Sequence, residues 1–345
     1  MQGVTYWMFN YEPRWEAVSR ELKCLADHAN ARFDTHVYSF NLHGKELKMS
    51  GRERFYPLPY GFMILPMLYK LRARHGINHF FASAGERIVT RMLAGSSSIL
   101  TVAKGTRSLS AFERNLDLLK GFKFVVVEAE RDRQLLQQGG VDAESIKVIY
   151  PGFDIAPYNP IRGPLRLLFA SSPFGRYDLL ERGLYLIVEA ARRLPDVKFL
   201  IIWRERHLDR MLSLVGERGL PNVEIHNGYV RNMGEVYDSV HGTVVVGLES
   251  NSLKPCPHSA LESLAHGKPV VTSWMTSLAR IVHDRECGVC CEPNIEDFVT
   301  AVGQLREHYD RYQSRCHDVV NTTFRKDVFL KKYMSIYQDM AEEAT

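Results

Sequence analysis

In its 345 residues the chain lacks several features that a sequence of this size can carry. No stretch approaches the roughly 18 consecutive apolar residues that a membrane-crossing helix needs, so no spanning segment is predicted. The N-terminus enters directly on Val4-Thr5-Tyr6-Trp7-Met8-Phe9, which is too short for the apolar region of a secretory leader and has no basic segment before it. Cysteine is scarce, with six residues at Cys24, Cys256, Cys287, Cys290, Cys291 and Cys316. Cys287-Gly-Val-Cys290 has C-x-x-C spacing, but no second such pair and no spaced histidine pair completes a metal site. No metal is therefore expected. Free thiols in a leaderless chain predict a reducing, cytoplasmic setting. Internal repeats and low-complexity segments are absent. No G-x-G-x-x-G follows a strand start, which argues against a nicotinamide dehydrogenase.

Charge of one sign is also in small excess, at a net +4, but it is unevenly placed. Residues 1–157 hold 21 Lys/Arg against 16 Asp/Glu, whereas residues 158–345 hold 23 against 24. Within 45–91 the balance is 9 basic to 3 acidic. Two readings follow: an anionic partner near the first half, such as a phospholipid or a pyrophosphate-bearing acceptor, or a solvated basic face. The stretch from Pro59 to His75 sets Phe62, Leu65, Leu68 and Leu71 beside Lys70, Arg72, Arg74 and His75. It reads either as an amphipathic helix burying its leucines or as an element lying on an anionic membrane at the inner face. Nucleic acid is not among the expected partners.

With 45% hydrophobic and 24% charged residues, the chain can build two ordinary domains. The second half shows the clearer pattern. Strands are predicted at 165–170, 197–203, 223–226, 243–247 and 270–272, alternating with helices at 183–194, 207–218, 233–240 and 257–266. Short β-rich runs alternating with helices describe a doubly wound parallel sheet. The first half reads similarly, with strands at 4–9, 36–40, 79–82, 99–102, 124–127 and 146–149. Its helices are predicted at 15–28, 86–93, 110–119 and 130–139. The segment Tyr150-Pro-Gly-Phe-Asp-Ile-Ala-Pro157-Tyr-Asn-Pro160 breaks both helix and strand and marks a boundary. The expected division is therefore 1–157, 158–325 and a C-terminal helix over 326–345 returning to the first domain. The expected fold is α/β, with two Rossmann-like parallel-sheet domains facing a cleft at the carboxyl ends of their strands.

Chemistry concentrates in Lys254-Pro-Cys-Pro-His258-Ser259-Ala260-Leu-Glu262-Ser-Leu-Ala-His-Gly267-Lys-Pro269-Val-Val271. Pro257 suits a first helical turn, Gly267 suits a C-terminal cap, and Pro269 forbids continuation. The start of such a helix presents backbone N–H groups at the carboxyl end of a strand, a natural seat for a diphosphate. Glu262 sits near the first turns, where a carboxylate can accept both hydroxyls of a ribose diol. The plainer alternative for it is a carboxylate held by the helix dipole.

These residues resemble the donor-binding motif of the family 4 retaining glycosyltransferases: Glu, seven residues, Glu, then a small-Gly-x-Pro-Val-Val tail. Glu262 matches the second glutamate, which in that family holds the donor ribose. Lys254 stands where the first glutamate, assigned to the sugar and to catalysis, would be. A lysine cannot accept hydrogen bonds from sugar hydroxyls; the readings open to it are a phosphate contact, an acidic sugar or an altered donor geometry. Phe174-Gly-Arg176-Tyr-Asp178-Leu-Leu-Glu-Arg182-Gly183 resembles the family's Gly-Arg…Lys-Gly loop, and its Gly-Arg-Tyr-Asp wording is especially like the phosphatidylinositol mannosyltransferases. The resemblance implies that Arg176 and Arg182 hold the donor diphosphate and stabilise the departing nucleotide. Val148-Ile-Tyr-Pro-Gly152-Phe-Asp154…Pro160 resembles the family's interdomain sequence, and 229–240 the segment before its nucleobase pocket. The likeness is strong over about 146–300 and weak before it.

The first half departs twice from that pattern. The loop Asn10–Glu16 has no glycine where the family carries a Gly-Gly pair, and Ala103 stands where a histidine often follows the fourth strand. Lys104, Arg107 and Arg14 are the candidates for acceptor or phosphate contact there.

Together these features predict a metal-independent retaining glycosyltransferase of GT-B architecture, with Arg176, Arg182 and Lys254 in catalysis. Arg176, Arg182, His258, Ser259, Ala260 and Glu262 would bind the donor, a UDP- or GDP-sugar. The acceptor hydroxyl would belong to a glycan, a lipid-linked acceptor or a small molecule. Two alternatives stay open: a donor-binding but catalytically silent partner subunit, suggested by Lys254 and Ala103, and a nucleotide-sugar epimerase of similar architecture.

Overall fold

The structure is a computed structural model that describes residues 3–9, 11–14, 16–41, 48–50, 53–57, 76–83, 91, 94–104, 115–170, 181–204, 207–216, 219–249 and 253–343. Two compact units divide the chain: Met1–Gly152 with Lys326–Thr345, and Phe153–Arg325. Of the predicted elements, most of the helices at 86–93 and 110–119 and all of the apolar-basic stretch 59–75 lie outside the described residues.

The first unit begins with β1 (Gly3–Met8), α1 (Ala17–Ala29) and β2 (Asp34–Asn41). After β3 (Lys48–Ser50), β4 (Glu53–Pro57), β5 (Ile77–Ser83) and β6 (Gly95–Lys104) come α2 (Leu116–Leu119), β7 (Phe122–Val127), α3 (Glu130–Gln138) and β8 (Ile146–Val148). The strands form one sheet in the order β3-β4-β2-β1-β5-β6-β7-β8, parallel except where β3 meets β4. Val4, Tyr6 and Trp7 of β1 are fully buried, as expected of a central strand covered on both faces. α1 is set by its N-cap, where the Ser19 amide donates to Glu16 Oε2 at 2.6 Å. Its face of Val18, Leu22, Leu25, Ala26 and Ala29 repeats at helical spacing and is buried against the sheet.

The second unit runs β9 (Arg166–Phe169), α4 (Leu184–Arg193), β10 (Lys198–Trp203), α5 (Leu208–Gly216), β11 (Val223–Asn227), α6 (Met233–Asp238) and β12 (Gly242–Val245). It continues with α7 (His258–Ala265), β13 (Val270–Ser273), α8 (Leu278–Asp284), β14 (Gly288–Cys291), α9 (Ile295–Glu307) and α10 (Tyr309–Thr323). Its sheet is parallel throughout, in the order β11-β10-β9-β12-β13-β14. Strand order reverses between β9 and β12. In doubly wound sheets the crevice outside the carboxyl ends at that reversal is where ligands bind. The predicted strands and helices of this half fall within these elements to a few residues.

The last helix, α11 (Lys326–Glu343), belongs to the first unit. Phe329, Leu330, Tyr333, Met334, Ile336, Tyr337 and Met340 pack with Tyr6, Leu22, Leu25 and Ile149 in one core. Each such side chain gains on the order of 2 kcal/mol from leaving water. The seam also holds polar groups. His79, fully buried on β5, meets Tyr337 OH through Nδ1 at 2.6 Å and Thr101 Oγ1 through Nε2 at 2.7 Å. Tyr333 OH lies 3.0 Å from the same threonine oxygen. A neutral imidazole donates at one nitrogen and accepts at the other, which suits two hydroxyl partners. Burial lowers the His79 pKa to about 3, so the ring is neutral at ordinary pH.

The chain crosses between units at Gly152/Phe153 and again at Arg325/Lys326, whereas the sequence placed the first crossing after Pro157. Residues 153–157 are held by the second unit: the Phe153 amide donates to Phe324 O at 2.7 Å and the Ala156 amide to Ala265 O at 2.9 Å. A Cβ on Gly152 would lie 2.6 Å from Lys326 Cα and from Phe329 Cβ, so only glycine lets the chain pass α11 here.

Candidate functional site

The site is assembled at the start of α7, beyond the carboxyl end of β12. Pro257 is the N-cap itself, one position earlier than the sequence suggested. Its backbone is extended, at φ −62 and ψ 124, and its carbonyl accepts from the amides of Ala260 at 3.0 Å and Leu261 at 3.2 Å. The helix ladder thus starts with Ala260, and the His258 and Ser259 amides precede it at the positive end of the dipole. The other end is closed as a Schellman motif. The Lys268 amide donates to Ser263 O at 2.9 Å, and the Gly267 amide to Leu264 O at 2.9 Å with Gly267 at φ +68. Leu261, Leu264 and Ala265 are buried beneath, which fixes the direction in which the N-terminus points.

Lys254 Nζ lies 3.0 Å from His258 Nε2. An ammonium only donates, so Nε2 accepts, and His258 is the neutral tautomer protonated on Nδ1. The ring is further located by an edge-on contact with Phe153, 5.2 Å between centroids. The structure therefore brings a lysine cation to the mouth of the helix, held by a side chain of the first turn.

Glu262 is one turn further in and half-buried. Tyr237 OH, at the end of α6, donates to its Oε2 at 2.7 Å. Tyr237 is itself 1% exposed and stacks on His266 at 5.3 Å, while His266 Nδ1 lies 3.1 Å from Asp238 Oδ1. The carboxylate is thus orientated by a fixed phenol, an arrangement that dipole stabilisation alone does not require. Sequence reasoning missed Tyr237: the residue sits in the 229–240 segment, but nothing in its spacing ties it to Glu262.

Arg182 lies in the turn before α4, half-buried, with Nε shielded from solvent. The turn is clamped to the residues just past β12. The Leu248 amide donates to Glu181 O at 2.8 Å, and a Cβ on Gly183 would lie 2.0 Å from Val246 O. Gly183 has φ +81, a conformation that costs other residues strain. Arg182, Lys254 and the α7 N-terminus therefore all belong to the carboxyl edge of this sheet around the reversal of strand order. Arg176 and Arg107 lie outside the described residues. Lys104 closes β6 opposite Ser83, with its side chain likewise outside them. Arg14 is exposed before α1. The glycine-free loop ahead of α1 is filled instead: Tyr11 is buried, its amide donating to Ser39 Oγ at 3.0 Å and its hydroxyl to Glu53 at 3.0 Å.

Among the described residues no cluster of three His, Cys, Asp or Glu side chains could hold a metal ion. Burial pushes the thiols of Cys287, Cys290 and Cys291 up to about 12, and Cys290 Sγ lies 3.1 Å from Ala279 O. None of the described helices is long and apolar enough to cross a membrane.

Solved structures share this fold along nearly the whole chain. Sucrose-phosphate synthase of Thermosynechococcus elongatus superposes with a TM-score of 0.80 over 99% of this chain and 100% of that one, at 15% identity. HepE of Anabaena, solved with UDP-glucose, gives 0.76 over 97% and 99% at 14% identity. The fold is GT-B. WaaG, a glycosyltransferase of lipopolysaccharide biosynthesis, gives 0.72 over 96% and 99% at 14% identity. Residues 176–318 of this GT-B chain also match the family described as Glycosyl transferases group 1. That match encloses Arg182, Lys254, His258 and Glu262 and leaves the first unit outside it. Against curated proteins no sequence match is found.

Proposed function

We propose that this GT-B protein is a retaining glycosyltransferase using a nucleoside-diphosphate sugar, UDP- or GDP-linked, without a metal ion. The observation that carries the reading is the Glu262 carboxylate, held by Tyr237 OH at 2.7 Å one turn inside a helix whose N-terminus faces the ligand edge. In this reading Glu262 accepts the ribose hydroxyls, and the diphosphate rests on the His258 and Ser259 amides. Arg182 and Arg176 are assigned to the diphosphate, and Lys254 adds a further cation at the helix mouth. The anomeric carbon gains a bond to the acceptor oxygen as its bond to the β-phosphate oxygen breaks, and the acceptor's hydroxyl proton passes to that departing phosphate oxygen. Negative charge then grows on the departing nucleotide, where fixed cations and helix amides stabilise it most. The acceptor hydroxyl, on a glycan, a lipid-linked molecule or a small molecule, is assigned to the basic first unit. The UDP and UDP-glucose held by HepE favour a uridine donor.

Thermal unfolding with UDP, GDP and the bare nucleosides tests the site, because a ligand of the native state raises stability by mass action. Arg182→Ala should abolish the shift from the diphosphate and leave most of the shift from the nucleoside. Equal loss of both would misplace the phosphate. Diphosphate binding with neither transfer nor slow hydrolysis, across a panel of nucleotide sugars, would favour the silent partner subunit suggested by Lys254.

A further inference from the structure

The geometry points to Trp274 as the platform on which the donor's sugar ring rests, an inference that depends on the nucleotide-sugar reading above. Trp274 follows β13 directly at the carboxyl edge of the second sheet and is 40% exposed. Its exposure is built in. Thr272 and Ser273, both fully buried, donate through their hydroxyls to Val245 O at 3.0 Å and Gly247 O at 2.6 Å. Thr276, also buried, lies 2.9 Å from Thr272 across the turn, and the Trp274 amide donates to Cys291 O at 3.0 Å. The indole is flanked by the His283 ring at 5.4 Å. A loop fixed at four points therefore presents an aromatic face to solvent at the edge where ligands of such sheets bind.

Its place along that edge selects the occupant. Glu262 reaches toward Tyr237, on the α6 flank of α7. The Trp274 loop lies on the opposite flank, because the Leu278 amide at the start of α8 donates to Pro255 O at 3.1 Å, next to Lys254. With ribose on the α6 flank and the diphosphate on the helix N-terminus, the group left for the α8 flank is the glycosyl unit. A pyranose presents a face of C–H bonds that suits the negative face of an aromatic ring, and an indole offers the largest such face. Trp274 is therefore a specificity-determining residue for the sugar, with no part in holding the nucleotide.

Binding of UDP, UDP-glucose, GDP and GDP-mannose is measured on the wild type, Trp274→Ala and Trp274→Phe, by thermal shift and by intrinsic fluorescence. The chain has four tryptophans, Trp7, Trp15, Trp203 and Trp274, so the difference between the wild type and Trp274→Phe isolates the signal of this indole. With the wild type, the sugar-bearing ligand should change that fluorescence more than its diphosphate does. Trp274→Ala should weaken the nucleotide sugar about tenfold, the size of a good aromatic contact, and leave the diphosphate within about twofold. Trp274→Phe should recover most of the loss. Equal weakening of both ligands, or of neither, overturns the assignment. Failure of the wild type to bind any of the four ligands overturns the nucleotide-sugar reading, and this assignment falls with it.

Discussion

Acid should loosen the first unit through His79. The ring is fully buried between Tyr337 OH and Thr101 Oγ1, and burial lowers its pKa from an ordinary 6.5 to about 3. The unfolded chain takes up the proton first, so the stability that His79 confers is intact above pH ~6.5 and is lost as pH falls toward 3. At pH 5 the loss from this one group is about 2 kcal/mol, and by pH 3 it reaches about 4 kcal/mol. The charged groups facing the ring temper that figure: Glu21 of α1 favours the charged form, while Tyr6, Tyr333 and Tyr337 stay neutral because burial raises their pKa values. Amide hydrogen exchange in peptides from α11 and β5, followed from pH 7.5 to 5 and corrected for intrinsic rates, reads the opening of this unit separately from the other. Protection should fall by about one to two decades in the wild type. His79→Gln forfeits hydrogen bonds and is weaker throughout, but its protection should change little over the same range. The same pH dependence in both proteins would refute the argument, because the proton would then be binding elsewhere.

Two further predictions concern single positions. Asp132 on α3 is 6% exposed, and burial raises its pKa to about 6. Its folded-state value lies above the unfolded one, so stability declines as pH rises from about 3.8 to 6. Asp132→Asn should gain about 1–2 kcal/mol at pH 7.5 in urea unfolding, after a discount for the lost charge at the helix start, and nothing at pH 3.5. An unchanged difference between those pH values would show that the carboxyl is not desolvated. Gly183→Ala combines left-handed strain of about 1–2 kcal/mol with a Cβ 2.0 Å from Val246 O, so the second unit should lose roughly 3 kcal/mol and the diphosphate shift should vanish. Gly303→Ala in α9, where a Cβ meets nothing within 4 Å, is the control and should be neutral or stabilising by about 1 kcal/mol. Comparable losses at both glycines would remove the special status of the Arg182 turn.

The alternation of short apolar runs with helices made the second sheet legible, because parallel strands covered on both faces read as runs such as Phe199-Leu200-Ile201-Ile202. β3 and β4 were not legible. They are short, carry Lys48, Glu53 and Arg54, and pair at an edge where little has to be apolar. Between residue 273 and the predicted C-terminal helix the elements also escaped: β14 is built on cysteines, and α10 shows a mainly polar face with Cys316, Val319 and Val320 inside. Within the site, the helix start and its cap followed from Pro257 and Gly267, local features that sequence records well. What joins Glu262 to Tyr237, Lys254 to His258 and the Trp274 loop to Pro255 is tertiary, and no periodicity reports it. The division expected after Pro157 and the one observed after Gly152 differ for the same reason, since the prolines mark where the chain bends, whereas the hydrogen bond from Ala156 to Ala265 ties that stretch to the second unit.

The return of α11 to the first unit has a consequence for synthesis on the ribosome. Every strand of the first sheet has been translated by Val148, yet one wall of its core is supplied by Phe329, Tyr333, Tyr337 and Met340. Tyr6, Leu22 and the buried His79 must therefore wait, incompletely covered, while the second unit, Phe153–Arg325, is translated. The first half to be made is the last to be finished, and a nascent chain stalled before residue 326 would carry one closed domain and one open one.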